Sequence, residues 1–163
     1  MEREFMSVIY VDSLEQLKNI EVKSNIVLTQ DLDCGGAEIE FLAKLFKGTF
    51  DGQGHTISNL TLTSEIWTDG QILALFQYLD HASVENVSFN DLVIKVDLNG
   101  YKPKIAALCY ESMHSIIRNV CINAKLIGCE KIPMIDTALK GVIENISFES
   151  GGRELQKILY CER

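Results

Sequence analysis

Four short stretches of this sequence share one pattern, and few folds accept it. They are ISNLTL (57–62), VENVSF (84–89), IRNVCI (117–122) and IENISF (143–148). Each runs aliphatic, variable, Asn, aliphatic, small, large apolar. The asparagines, Asn59, Asn86, Asn119 and Asn145, lie 27, 33 and 26 residues apart. A second signal keeps the same register: ALF at 74–76 and ALC at 107–109 each begin twelve residues before the next Asn. Internal periods of this length mark solenoids. The alternation of Leu60 and Leu62, Val87 and Phe89, Val120 and Ile122, Ile146 and Phe148 has the period of a strand, not of a helix.

The alternation changes phase at each Asn. Ile57 and Leu60 are three apart, yet both belong inside, and a strand alone cannot turn both inward. A bend between them can. Asn tolerates the left-handed backbone of a tight bend, and stacked Asn amides can hydrogen-bond as a ladder. These observations predict an all-β chain wound as a parallel β-helix, with neighbouring coils about 4.8 Å apart. About five coils are expected over 25–150, beginning near residues 25, 49, 72, 104 and 132. The inward stacks would be Leu60, Val87, Val120, Ile146 and Leu62, Phe89, Ile122, Phe148. Between them Thr61, Ser88, Cys121 and Ser147 would face out, leaving Cys121 open to thiol reagents.

The ends of such a stack need cover, because open strand edges invite pairing. SLEQLKNI (13–20) has Ser13 and Gln16 in a capping-box pattern, with Leu14, Leu17 and Ile20 on one helical face. A capping helix is expected within 10–22. At the other end, 151–163 is expected to form a short helix with Leu155, Ile158 and Leu159 inward, or a last strand. A thin cap there would leave an edge for a homodimer through residues 132–163.

FKGTFDGQGHTISNLTL (46–62), followed by ILALFQYLDHASVENVSF (72–89), resembles the GLUG-type repeats of bacterial β-helix proteins. VDSLEQLKNIEVKSNIVLTQDLDC (11–34) resembles the segment that commonly precedes them. The resemblance covers roughly residues 10–148 and implies a right-handed, pectate-lyase-like parallel β-helix as a single domain, 1–163. Such repeats often read Gly-Leu-Phe-Gly where this chain has Ala74, Leu75, Phe76 and Gln77. In this frame Gly48, Gly52 and Gly54 serve a corner, Asp51 closes its turn, and His55 is a surface or corner residue.

The formal charge of −8 is uneven. Residues 1–50 hold nine acids and five bases, 51–100 seven acids and Lys95 alone, and 101–163 seven acids and nine bases. No basic stripe marks a nucleic-acid binder, whereas a basic protein partner fits the balance. The five cysteines form no CxxC, and the first residues lack an apolar leader, so a reducing, cytoplasmic setting is expected. No apolar run approaches the roughly 20 residues of a membrane span.

Polysaccharide lyases and glycoside hydrolases of the resembled fold use clustered carboxylates. Asp31, Asp33, Asp51, Asp80, Asp91 and Asp97 do not recur at one coil offset. Glu85, Arg118 and Glu144 do, just before each Asn, with Ser58 opening the column, and this reads as a surface ion ladder. No nucleophile elbow, P-loop or metal spacing is present, so neither catalytic residue, metal nor cofactor is expected. The expected function is protein binding by a small acidic β-helix. It would occupy a basic or nucleic-acid-handling protein as a nucleic-acid mimic, in the manner of phage-encoded inhibitors of host defence such as anti-CRISPR proteins. The binding candidates are Glu65, Asp69, Asp80, Glu85, Asp91, Asp97 and Tyr101, the last on the loop DLNGYKPK (97–104). Trp67 is expected to pack in the core or at its rim. The alternative is a carbohydrate-binding or polysaccharide-cleaving module of a bacterial surface protein, which needs an aromatic platform or a carboxylate pair in a groove.

Overall fold

The computed structural model of the chain describes residues 7–150 and, by backbone alone, 156–162. Leu155 of the expected C-terminal cap lies outside the described residues. The described chain is all-β with one short helix. In chain order the elements are β1 (Val8–Val11), α1 (Leu14–Leu17), β2 (Asn25–Leu28), β3 (Leu32–Asp33), β4 (Glu38–Ile39), β5 (Ala43–Phe46), β6 (Thr49–Ser58), β7 (Thr61–Thr63) and β8 (Ile72–Leu73). They continue with β9 (Phe76–Asp80), β10 (Ser83–Lys95), β11 (Lys104–Ile105), β12 (Cys109–Met113), β13 (Ile116–Ile127), β14 (Ile135–Leu139), β15 (Gly141–Ser150) and β16 (Gln156–Glu162). The largest sheet runs β1-β2-β6-β10-β13-β15-β16, with β3, β4 and β7 alongside. A second sheet runs β5-β9-β12-β14, and β8 pairs with β11 in a third. Every pairing is parallel except that of β15 with β16.

The chain thus returns repeatedly to the largest sheet and to the β5-β9-β12-β14 sheet, and on two of these passes it also adds a strand, β8 or β11, to the small sheet. Asn25, Thr49, Ser83, Ile116 and Val142 are paired one to the next and mark equivalent starts. The expected starts at 72, 104 and 132 fall elsewhere on the pass: Ile72 pairs with Lys104 in the small sheet, not in the sheet that holds Asn25 and Thr49.

Burial follows these columns. Ile26, Phe50, Val84, Ile117 and Ile143 stack in register, and all are buried. So do Val87, Val120 and Ile146, and beside them Leu32, Ile57, Phe89, Ile122 and Phe148. In the second sheet Ala43, Phe76, Cys109 and Ile135 pair in turn, which places ALF over ALC as expected. Phe76 contacts Phe46 and Phe50 with ring centroids 5.5 and 5.9 Å apart. Each such buried side chain contributes about 1.5–3 kcal/mol, before conformational entropy is charged against it.

The Asn bends form as expected. Asn59, Asn86, Asn119 and Asn145 all have positive φ, between 51° and 59°. Asn145 Nδ2 donates to Asn119 Oδ1 at 2.6 Å, and Asn119 Nδ2 donates to Asn86 Oδ1 at 2.9 Å. The ladder does not continue to Asn59. Asn86 Nδ2 donates instead to Asp51 Oδ1 at 3.2 Å, and that carboxylate also closes its own turn by accepting from Gln53 N at 2.9 Å. ISNLTL was expected beside VENVSF, but Ile57 pairs with Phe89 and Leu62 with Ile94. It therefore lies beside FNDLVI (89–94), and Asn59 belongs to a second column of bends that begins at Asp33. There Asn59 Nδ2 donates to Asp33 Oδ1 at 2.9 Å, and Gly35 N donates to the same oxygen at 2.9 Å. Asp91, with φ 52°, occupies the same bend one pass later.

This one-bend slip explains the other differences. Leu60 and Leu62 are buried as expected, but in columns with Leu92 and Ile94 rather than with Val87 and Phe89. Thr56, not Thr61, joins Ser88, Cys121 and Ser147 on the outside, and Thr61 is buried. Asp51, not Ser58, precedes Glu85, Arg118 and Glu144 in the ion column. Gly52 and Gly54 take up the slack in β6. A Cβ on Gly52 would lie 2.4 Å from the Asn86 carbonyl oxygen, and Gly54 has φ 81°.

The N-terminal helix is shorter than expected. The helix is Leu14–Leu17 only, capped by Ser13, whose Oγ accepts from Gln16 N, while Gln16 Oε1 accepts from Asp12 N. Leu17 is buried and Leu14 and Ile20 pack partly against the core. Residues 8–11 form a strand that takes Tyr10 and Val11 from the range expected for the helix, because VIYV has β-branched and aromatic residues and pairs in register with β2. At the other end, β16 is the last strand that was one of the two expectations, and it runs antiparallel along β15.

Asn119 is the middle rung of the ladder. Asn119→Ala removes two amide hydrogen bonds and places a Cβ-bearing residue without Asn's local hydrogen bonding at φ 54°, so we expect a loss of about 2–4 kcal/mol in urea denaturation. Asn119→Gly, which keeps the bend and loses only the amide, should lose about half as much.

Candidate functional site

Two loops that leave the largest sheet on consecutive passes lie side by side. The first, residues 64–71, connects β7 to β8, and the second, residues 96–103, connects β10 to β11. The Gln71 side chain ties the first loop from within. Its Oε1 accepts from Trp67 N at 2.9 Å, and its Nε2 donates to the Glu65 carbonyl at 2.8 Å and to Ser64 Oγ at 3.3 Å. Ile66 turns inward and is buried. In the second loop Asp97 Oδ1 accepts from Asn99 N at 3.2 Å and Tyr101 N donates to the Leu98 carbonyl at 2.8 Å. Asn99 and Gly100 supply the left-handed turn, with φ 49° and 81°. The loops bond to one another: Lys102 N donates to Asp69 Oδ1 at 2.8 Å, Gly70 N to the Lys102 carbonyl at 2.8 Å, and Lys104 N to the Gln71 carbonyl at 2.7 Å.

This frame holds apolar side chains out in solvent. Trp67, expected in the core or at its rim, is 66% exposed, and Leu98 and Tyr101 are 37% and 40% exposed. The sequence signal was available in SEIWTDGQ: Ile66 and Trp67 are adjacent, and the neighbours that tie the loop hold only one of them inward.

A groove of about 490 Å³ runs along the base of both loops. Its charged lining is Glu38, Glu40, Glu65, Lys95 and Asp97. A smaller groove of about 300 Å³ lies on the other side of the first loop, with Phe41, Lys44, Gln71, Gln77 and Tyr78 among its walls. Glu40 and Ser64 line both, so the first loop stands as a ridge between them. Glu38 and Glu40 were missed from sequence, because nothing in the repeat pattern links them to Glu65 and Asp97.

Of the seven binding candidates, Glu65, Asp69, Asp97 and Tyr101 meet at this loop pair. The other three do not. Asp80 sits at the end of β9, where Oδ2 is 3.5 Å from Lys47 Nζ and Oδ1 is 2.7 Å from His81 Nδ1. The hydrogen bond to His81 holds the Asp80 carboxyl below its ordinary range. His81 stacks on His114 with centroids 4.8 Å apart. Glu85 pairs with Arg118 at 3.2 Å, and Arg118 also pairs with Glu144, so one guanidinium bridges two carboxylates as the ion ladder predicted. Asp91 is consumed by a bend. The acids of residues 51–100 thus divide among separate places and do not gather on one face.

Two further acids are held by the fold. Asp31 Oδ1 accepts from Thr56 N at 2.9 Å and lies 3.2 Å from His55 Nδ1, and these bonds, the backbone one first, lower its pKa. His55 is thereby a partner of Asp31 at the surface. The Asp33 carboxyl is lowered by Asn59 and then by Gly35 N. Lys104 is shifted upward by its 2.8 Å bond to the Tyr110 hydroxyl. Burial pushes the thiols of Cys34, Cys109 and Cys129 up. Among the described residues no cluster of His, Cys, Asp or Glu is arranged to hold a metal ion, and no helix is long and apolar enough to cross a membrane.

No protein-family model, no curated protein and no solved structure matches the chain.

Two outcomes follow from these environments. The fold favours the ionised forms of Asp31 and Asp33, so their stabilisation is complete above the unfolded carboxyl range, about pH 4, and is lost as pH falls through their lowered folded values. The double variant Asp31→Asn, Asp33→Asn should therefore show a shallower loss of stability below about pH 4 in acid titrations of urea unfolding. Cys121 is exposed, while Cys34 and Cys109 are buried. Under native conditions a thiol reagent should modify Cys121 ahead of both, and peptide mapping that finds Cys34 or Cys109 labelled first would contradict the packing.

Proposed function

We propose that the repeated passes close on themselves as a right-handed parallel β-helix of about five coils, and that this domain acts without catalysis by binding a basic protein. The repeated return of the chain to two sheets whose strands pair in parallel, β15 with β16 excepted, supports the architecture. The likeness of the repeats to GLUG-type proteins supports the handedness. One observation carries the functional half: four carboxylates, Glu38, Glu40, Glu65 and Asp97, face a single groove that offers only Lys95 in return. Elsewhere on the same scaffold stacked carboxylates are bridged by a base, as in Glu85–Arg118–Glu144. An uncompensated row costs self-repulsion in the free protein and is relieved by a cationic partner.

In its specific form the partner is a basic, nucleic-acid-handling protein that this chain occupies and inhibits, in a bacterial or phage-infected cytoplasm. The separation of Asp80, Glu85 and Asp91 from the groove weighs against mimicry of a whole nucleic-acid strand and favours a local contact. Affinity capture from host lysate at two salt concentrations, read by mass spectrometry, tests this. A basic protein retained at low salt, released at high salt, and lost with the triple variant Glu40→Gln, Glu65→Gln, Asp97→Asn is the expected result. Retention of glycans with no protein partner overturns it and moves the assignment to a carbohydrate-binding module.

A further inference from the structure

We infer that Trp67, Leu98 and Tyr101 form the docking surface for an arginine-bearing, extended segment of a protein partner, with Trp67 as its principal contact. This rests on the reading of a basic partner and names the chemistry of the segment that meets the loops.

The exposed apolar side chains come first. Trp67 is the one tryptophan of the chain and is 66% exposed, with Leu98 and Tyr101 on the adjoining loop. Isolated exposed apolar residues are common on any protein. These differ in being held on loops fixed from within by Gln71 and Asp97 and fastened to each other through Lys102 and Lys104. A loop backbone fixed before binding loses little freedom on contact, and tryptophan and tyrosine are among the residues that dominate interface energies.

Charge complementarity selects the occupant. Glu65 lies two residues before Trp67 and Asp97 one residue before Leu98, and both carboxylates line the groove at the loops' base with Glu38 and Glu40. A ligand that covers the aromatic patch and continues into the groove must be apolar-compatible at one end and cationic along its length. Arginine satisfies both demands. Its guanidinium stacks on an indole and pairs side-on with a carboxylate, whereas a lysine ammonium is a compact, strongly hydrated charge. Glu40, Glu65 and Asp97 come from three successive passes, so the groove crosses the strands. By the register that pairs Thr63 with Lys95, Glu65 and Asp97 continue adjacent strands, whose spacing of about 4.8 Å suits side chains of an extended chain, which rises about 3.3 Å per residue.

The test uses the full chain with oligo-arginine, oligo-lysine and oligo-glutamate peptides of equal length, at low and physiological salt. Because Trp67 is the sole indole, its emission reports directly on occupancy. We expect oligo-arginine to shift or quench it and to bind more tightly than oligo-lysine, with no response to oligo-glutamate. By calorimetry, Trp67→Leu should weaken oligo-arginine about 3- to 30-fold and leave oligo-lysine within about twofold, the range expected for loss of an arginine–indole contact. Trp67→Phe should recover part of that loss, and circular dichroism should show both variants folded. Equal oligo-arginine binding by wild type and Trp67→Leu, with weakening in the Glu40→Gln, Glu65→Gln, Asp97→Asn variant, overturns the docking surface while the basic-partner reading stands. Failure of both cationic peptides to bind at low salt overturns both. A Trp67 emission change with neutral oligosaccharides and none with oligo-arginine also overturns the inference and assigns the indole to a sugar.

Discussion

The left-handed bend at asparagine is the constraint from which the rest of the structure follows. A strand exposes alternate residues to opposite sides, so a chain that must bury Val84 and Val87 alike has to break its phase between them. Asn86 does this with one residue at φ 58°. Repetition at Asn119 and Asn145 brings the bends into line, and the side-chain amides then satisfy each other across passes. An amide has both a donor and an acceptor, so such a column propagates without charge. It needs a terminator, and Asp51 supplies one: an acceptor-only group that takes the last amide hydrogen and the Gln53 backbone N–H. Asp33 plays the same part for Asn59. In both columns the first residue is thus an aspartate that accepts the amide hydrogen of the asparagine on the next pass.

The same chemistry explains how much was legible in the sequence. The strand period, the bend at each Asn and the buried columns from Val87 to Phe148 are all local patterns, and they were visible. Register was harder. ISNLTL matches VENVSF letter for letter in type, but it matches FNDLVI as well, and the structure pairs it with the latter. The deciding residues are Gly52, Gln53 and Gly54, three residues standing against Asn86 in the neighbouring strand. Gln53 carries the positive φ there, at 51°, so the bend persists without its asparagine. A composition pattern built on Asn cannot register a bend made by Gln between two glycines. The N-terminal helix was expected within 10–22 and spans Leu14–Leu17. Tyr10 and Val11 belong instead to β1, whose state is set by the partner strand Asn25–Leu28, outside any local window.

The site was half legible. Glu65, Asp69, Asp97 and Tyr101 were found because loops between strands carry polar and aromatic residues that the core does not need. Trp67 was placed inside on the general tendency of large aromatics to be buried. The adjacent Ile66 takes that inward position, and consecutive residues of an extended segment point to opposite sides. Glu38 and Glu40 reach the groove only because parallel register carries Glu38 to Thr61 and the next strand onward to Val93, a relation between residues far apart in the chain.

Stacked parallel strands place equivalent side chains at near-contact distance along a column, so any charge repeated from pass to pass meets its own kind. The chain resolves this in three ways. In the column of Glu85, Arg118 and Glu144 it alternates sign. At Asp33, Asp51 and Asp91 it spends the acid on a bend, where a backbone or amide donor or a left-handed turn uses it locally. Beside the Trp67 loop it does neither, and Glu38, Glu40, Glu65 and Asp97 share a groove with Lys95. On the proposed reading, a cationic partner would supply the counter-charge at this groove. The loops that hold Trp67 and Tyr101 begin at the same groove, at Ser64 and Val96.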